Sequence, residues 1–213
     1  MDHSELSPLD NHLGALAATI IPFRAVAGRL AHWGEELAWH LGQGGRLLVA
    51  GNGGSAAEAQ HLAAELVGRL RTERIPLSAI ALTSDSSAVT AISNDYGFDE
   101  VFARQVRAHG RPADVLLVLS TSGRSANLLA AVDAARESGL RTWAMTGPGP
   151  NPLADACDEV LRCPSPEGQV VQELHLVSVH VLCEYLDKTL PAVLGGHPAV
   201  PFPEMRSEVE VGV

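Results

Sequence analysis

The chain has 213 residues, 46% of them hydrophobic and 19% charged, with a formal net charge of −10. That is the length and balance of one globular unit able to bury a sizeable core. The acidic balance argues against nucleic-acid binding through a general basic footprint, so an anionic ligand must be held by local donors. No apolar run approaches the roughly 20 residues of a membrane span. The start Met1-Asp2-His3-Ser4-Glu5 has neither the basic nor the apolar part of a secretory signal. Cys157, Cys163 and Cys183 fit no zinc-ribbon spacing and read as reduced thiols of a cytoplasmic protein.

The first 45 or so residues read as helical. Leu13, Leu16, Ala17, Ile20 and Ile21 recur at the helical period, Pro22 interrupts or restarts the helix, and Phe23, Val26, Leu30, Trp33, Leu37 and Leu41 form a second stripe. Gly42-Gln43-Gly44-Gly45 ends it. Short apolar runs then alternate with helical patterns. Leu47 to Ala50, Leu77 to Leu82, Val115 to Leu119, Arg141 to Met145 and Glu159 to Cys163 read as five strands. Helices are expected from Ser55 to Leu70, Ser84 to Ile92, Asp99 to Ala108 and Ser125 to about Ser138. Asn94-Asp95-Tyr96-Gly97 falls between the second and third of these. A short helix is expected near Leu153 and a long one from about Gly168 to Leu190. The alternation implies an α/β fold: a doubly wound, flavodoxin-like, five-stranded parallel sheet with N-terminal helices and a long C-terminal helix. Residues 1–190 are expected to form one domain. Residues 191–213, rich in Pro and Gly, are expected to form a flexible or partner-draped tail.

In such a sheet, ligands sit beyond the carboxyl ends of the strands. Two loops occupy that position: Gly51-Asn52-Gly53-Gly54-Ser55 and Ser120-Thr121-Ser122-Gly123-Arg124-Ser125. Both open a helix, whose free N–H groups and partial positive charge favour phosphate. A single Ser there suits a helix cap equally well. Four hydroxyls and a glycine in six residues after a buried strand suit an anion cradle better. The first loop lacks the Gly-Lys-Ser/Thr of a Walker loop, and by itself it would also serve as a tight turn.

His61 and Glu65 lie four apart on the helix that the first loop opens, and Arg69 continues the row. Taken alone, that row suits an exposed helix face as well as a site. The last long helix carries Gln172, Glu173, His175 and His180. Gln172 and His180 are about 80° apart around the helix axis, so spacing does not pair them. A lone His on an apolar helix is as readily a core or interface residue.

Together these segments resemble the sugar-isomerase (SIS) domain family, and within it the sedoheptulose 7-phosphate isomerases. The resemblance runs from about Ala15 to Leu190. Its markers are Gly51-Asn52-Gly53-Gly54-Ser55, His61 with Glu65, Asn94-Asp95-Tyr96-Gly97, Ser120-Thr121-Ser122-Gly123, and Gln172-Glu173 followed by His180. It implies a homotetramer whose sites draw on more than one subunit. It implies phosphate held by Ser55, Ser120, Thr121, Ser122 and Ser125, and substrate contacts from Asn52, Gly53, Gly54, Arg69, Asn94, Asp95 and Gln172. It also implies one zinc per subunit, bound by His61, Glu65, Gln172 and His180. The implied reaction converts D-sedoheptulose 7-phosphate to D-glycero-D-manno-heptose 7-phosphate through an enediol. That chemistry needs a base, for which Glu65 is the candidate, and an acid, for which His180 is the candidate. A carboxylate held tightly by zinc is a poor base, so either the metal moves or departs, or it polarises the substrate oxygens. Two positions depart from the family pattern: Arg124 stands where Asn is common, and Gln169-Val170 where an acidic residue and Arg are common. A non-enzymatic relative that binds the replication initiator, and an isomerase or sensor of another phosphosugar, are the alternatives. The presence of His61, Glu65 and His180 favours the enzyme.

Overall fold

The computed structural model describes residues 7–195. The expected tail beyond Gly195 and the start before Ser7 lie outside the described residues. Helix α1, Pro8–Phe23, begins with a Ser7 side chain that accepts from the Asp10 N–H and with Pro8 in the first turn. Both features settle a helix start, because the Ser oxygen satisfies an otherwise free donor and Pro has none to satisfy. Pro22 falls in the last turn, residues 24–26 tighten into a 3-10 turn, and α2 runs Ala27–Gly42.

Five strands follow: β1 Leu47–Gly51, β2 Ala79–Ala81, β3 Val115–Ser120, β4 Arg141–Thr146 and β5 Glu159–Arg162. All pair in parallel in the order β2-β1-β3-β4-β5. The order reverses between β1 and β3, which places a crevice at their carboxyl ends. Between the strands run α3 Gly54–Val67, α4 Ser86–Tyr96, α5 Ala103–His109, α6 Ala126–Glu137 and α7 Pro152–Ala156. Helix α8, Gly168–Val193, closes the chain. Alternate strand residues enter two cores. Leu47, Val49, Leu117, Leu119 and Trp143 pack with α2, α3 and α8. Leu48, Ala50, Leu116, Val118 and Ala144 pack with α5 and α6 on the other face. Burial on both faces is what made these strands read as continuous apolar runs.

Several boundaries differ from expectation, among them α3, which ends at Val67 and not Leu70. β2 is three residues long, because it lies at the sheet edge and pairs with β1 only. Helix α4 extends through Tyr96, so Asn94 and Asp95 sit in its last turn and not in a connection. Gly97, at φ 90°, ends it. The expected Asp99 start becomes a 3-10 turn over Phe98–Glu100, and α5 begins at Ala103. Helix α8 passes Pro191 because its last turn is packed: a Cβ on Gly42 would stand 2.8 Å from Val193 Cγ1.

The stretch Pro8–Gly42 contains an 18-residue window of mean hydropathy 1.4 and so is long and apolar enough to cross a membrane by length and composition. Its second half is committed elsewhere. Leu30, Trp33, Leu37, Ala38 and Leu41 are buried in the core, and α2 approaches α8 so closely that a Cβ on Gly34 would meet Tyr185 Cβ at 2.3 Å. Its first half leaves Leu9, Leu13, Ile20 and Ile21 exposed. The three thiols are free, and burial pushes each up to about 12, so they stay protonated at neutral pH.

Candidate functional site

The two loops meet at the crevice between β1 and β3. Asn52, Ser55, Ser120, Thr121, Ser122, Ser125 and Gln172 line a cleft of about 100 Å³. Its walls carry no charged side chain, so what they offer a ligand is hydroxyls, amides and helix N-termini. The Gly123 N–H donates to Ser120 Oγ (3.0 Å) and the Arg124 N–H to Ser122 Oγ (3.3 Å). Each hydroxyl therefore accepts from its own loop and keeps its proton to donate to an anion. Ser125 occupies the N-cap position of α6 but makes no side-chain capping bond, leaving its hydroxyl for a ligand. Gly168, at the start of α8, would place a Cβ 3.8 Å from Thr121 Oγ1. The N-termini of α3, α6 and α8 thus converge on one small volume.

Two asparagines hold this cradle in shape, and sequence reasoning missed both. Asn127, 2% exposed, exchanges amide bonds with Asn52: Asn52 Nδ2 donates to Asn127 Oδ1 (2.9 Å) and Asn127 Nδ2 to Asn52 Oδ1 (3.0 Å). The pair ties the first loop to the helix opened by the second. Asn151 caps α7 through Ala154 N–H and lies against Gly123, where a Cβ would stand 2.0 Å from its Oδ1. Gly123 also has φ 63°, so no larger residue fits that turn. Neither asparagine had a sequence signal, since each acts on a loop remote from its own.

Helices α3 and α8 run side by side, and their polar residues meet in successive rungs. At the first, the Gln172 amide lies on Gly54: a Cβ there would stand 2.4 Å from Nε2. At the second, His175 Nδ1 is 3.7 Å from Glu58 Oε2. At the third, His61 Nε2 and His180 Nε2 are 3.0 Å apart, with rings edge to face. Glu65 Oε1 is 3.4 Å from His61 Nε2. His61, Glu65 and His180 offer three donor atoms within 4.8 Å of one another, a group able to hold a metal ion. Beyond them, Arg74 donates to Asp187 Oδ1 (2.7 Å).

Gln172 thus borders the cleft while His180 faces His61, which explains why the two need not share a line on α8. Arg69 ends its row on the surface, 3.3 Å from Glu73. Asn94 and Asp95 are exposed and bond each other (2.8 Å). These three lie outside the lining of the cleft. Arg124 is exposed, and Gln169 is exposed in the first turn of α8.

Gly54→Ala tests the first rung. The added methyl meets only the flexible end of Gln172, so the fold should survive while the amide is pushed from the cleft. The melting temperature should stay within about 4 °C, since Ala inside a helix is no worse than Gly. The KM for a sugar phosphate should rise by about tenfold, one lost polar contact. Steady-state kinetics beside thermal unfolding checks both.

Residues 22–147 match the SIS domain family. The chain is 60% identical over 183 residues to the phosphoheptose isomerase of Streptomyces coelicolor, covering 86% of this chain and 79% of that protein. It is 52% identical to the phosphoheptose isomerase of Rhodospirillum rubrum over 150 residues, 70% of this chain and 80% of the relative. The solved structure of a phosphoheptose isomerase from Francisella tularensis superposes with a TM-score of 0.79 at 35% identity, over 86% of this chain and 100% of that one. The Neisseria gonorrhoeae phosphoheptose isomerase gives 0.79 at 40% identity, over 84% and 97%. With the hydroxyl cradle and the His61, Glu65 and His180 group in place, these likenesses show that the chain belongs to the SIS-domain family and, within it, to the phosphoheptose isomerases.

Proposed function

We propose that this protein is an aldose–ketose isomerase that converts D-sedoheptulose 7-phosphate to D-glycero-D-manno-heptose 7-phosphate. The observation that carries the reading is the pairing of an uncharged hydroxyl cradle with a carboxylate and an imidazole that share one rung between α3 and α8. The cradle takes the phosphate. Glu65 takes the proton from the carbon next to the carbonyl, giving the enediol. His180 moves the proton between the two oxygens, and Glu65 returns its proton to the neighbouring carbon. Gln172 orients the sugar between the two ends.

The donor set fits zinc. Ligands about 2.0–2.1 Å from one tetrahedral ion stand about 3.3 Å apart, and the separations here are 3.0 and 3.4 Å. His61, Glu65 and His180 would hold it, Gln172 would join as the fourth ligand by swinging its amide away from Gly54, and Glu65 and His180 would carry protons only when the ion has moved off them. Bound there, zinc would supply Lewis-acid polarisation of the substrate oxygens.

Residues 1–190 act as one SIS domain in a cytoplasmic homotetramer. The apolar face of α1 (Leu9, Leu13, Ile20 and Ile21) supports association. Arg69, Asn94 and Asp95, exposed and away from their own cleft, serve the site of a neighbouring subunit.

The test is proton exchange. Purified protein in D2O with sedoheptulose 7-phosphate should exchange the proton at C1 or C2 and yield the aldose phosphate by NMR, measured with and without added zinc. No exchange and no product under either condition would overturn the reading.

A further inference from the structure

The second rung between α3 and α8 has no role in the chemistry above, yet it is the most deeply buried of them. His175 is 0% exposed, and Glu58 is 9% exposed. Both ring nitrogens of His175 and the Oε2 of Glu58 are buried without a hydrogen-bond partner. Each is the other's polar neighbour, at 3.7 Å. Glu58 also adds to the upward push that burial gives the Cys163 thiol just after β5. Placing a carboxyl and an imidazole in an apolar seam is costly, and an apolar pair of the same volume would be as stable or more so. Stability alone therefore does not account for the pair.

Its location does. Ser55, Glu58, His61 and Glu65 recur at helical spacing along one face of α3, so Glu58 lies between the phosphate donor and the donor group, about 4.5 Å along the axis from His61. His175 lies one turn from Gln172 on α8. Apolar contacts are non-directional and tolerate sliding of one helix on another. At 3.7 Å the carboxyl and the imidazole make no hydrogen bond, but each is the polar group the other faces, so sliding or rotating one helix would turn both against apolar neighbours at a larger cost. We propose that Glu58 and His175 are positioning residues: their contact sets the rotation and register of α3 against α8, and with it the separation of His61 and Glu65 from His180 and Gln172.

The proposal rests on the isomerase reading for its catalytic readout only. The full-length double variant Glu58→Leu/His175→Phe replaces the rung with an apolar one. Its melting temperature should equal or exceed the parent's. Zinc affinity, measured by competition with a chromophoric chelator, should fall by about 10- to 100-fold. kcat should fall by about tenfold or more with KM for sedoheptulose 7-phosphate within about threefold, since the cradle is untouched. A folded double variant with zinc affinity and kcat both within about twofold of the parent would overturn the proposal. If the double variant does not fold, Glu58→Ala is compared with Val106→Ala, a core truncation on the opposite face of the sheet. A zinc-affinity loss in Glu58→Ala alone supports the proposal, and an equal loss in both overturns it. Failure of the parent to turn over the sugar would defeat the isomerase reading while the zinc titration still decides the rung. An active parent whose zinc affinity ignores the rung would defeat the rung alone.

Discussion

Glu65→Gln should lower kcat on sedoheptulose 7-phosphate by about 100-fold or more, the usual contribution of a positioned general base. The amide matches the carboxyl in shape but accepts no proton at neutral pH. Its neighbour His61, 3.4 Å away, would keep a hydrogen-bonding partner, so folding should change little. The KM should move by less than about fivefold, because Glu65 does not line the cradle proposed to hold the phosphate. His180→Gln should cost a similar factor. The pair acts as a unit across one rung, so the double variant should be no worse than about tenfold below the poorer single one. Stopped-flow product formation together with solvent proton exchange separates the two roles: a lost base abolishes exchange, whereas a lost acid leaves some. Near-full rates in both single variants would refute the assignment.

Arg74→Ala should be the most destabilising single change, about 3–5 kcal/mol by chemical denaturation at fixed protein concentration. The Arg74 side chain is 8% exposed and that of its partner Asp187 is 12% exposed. The guanidinium donates to Asp187 and to four carbonyl oxygens, those of Glu65, Leu66, Gly68 and Ile75. These include the last turn of α3, whose carbonyls have no helical partner of their own. Removal strands a buried carboxylate and uncaps the helix together. Arg74→Lys should recover less than half of the loss, because one ammonium cannot reach in the directions of a fork. Arg71→Ala is the contrast: its contact with Glu184 is 79% and 47% exposed, and such a pair contributes under about 1 kcal/mol.

The sheet was legible because β1 and β3 are buried on both faces and wear that burial as apolar runs. β2 was overextended because an edge strand looks the same in sequence as a central one until its partners are known. The cradle was legible because its hydroxyls are consecutive. Its support Asn127 was not, because it acts 75 positions away on Asn52, and neither was the Arg74 anchor at the far end of α3, which acts 113 positions away on Asp187. The angle between Gln172 and His180 likewise left their pairing unreadable from spacing alone. Each addresses a different residue of α3, so no common line was required. Local pattern reports what a residue is near in the chain. The rungs of α3 and α8 depend on which helices the sheet brings together.

The parallel run of α3 and α8 also works as a yardstick for the ligand. In the proposed reading one end is pinned where Ser55 and the hydroxyl loop would grip the anion, and the proposed reacting groups stand at fixed counts of residues beyond it. The rise of a helix places His61 about 9 Å and Glu65 about 15 Å along the axis from Ser55. Neither helix can shorten that span without unpacking from the sheet. A ketose phosphate with fewer carbons between phosphate and carbonyl must leave either the anion or the reacting carbons short of their groups. kcat/KM measured on five-, six- and seven-carbon ketose phosphates should therefore climb with chain length, and a flat series would show that α3 does not measure its substrate.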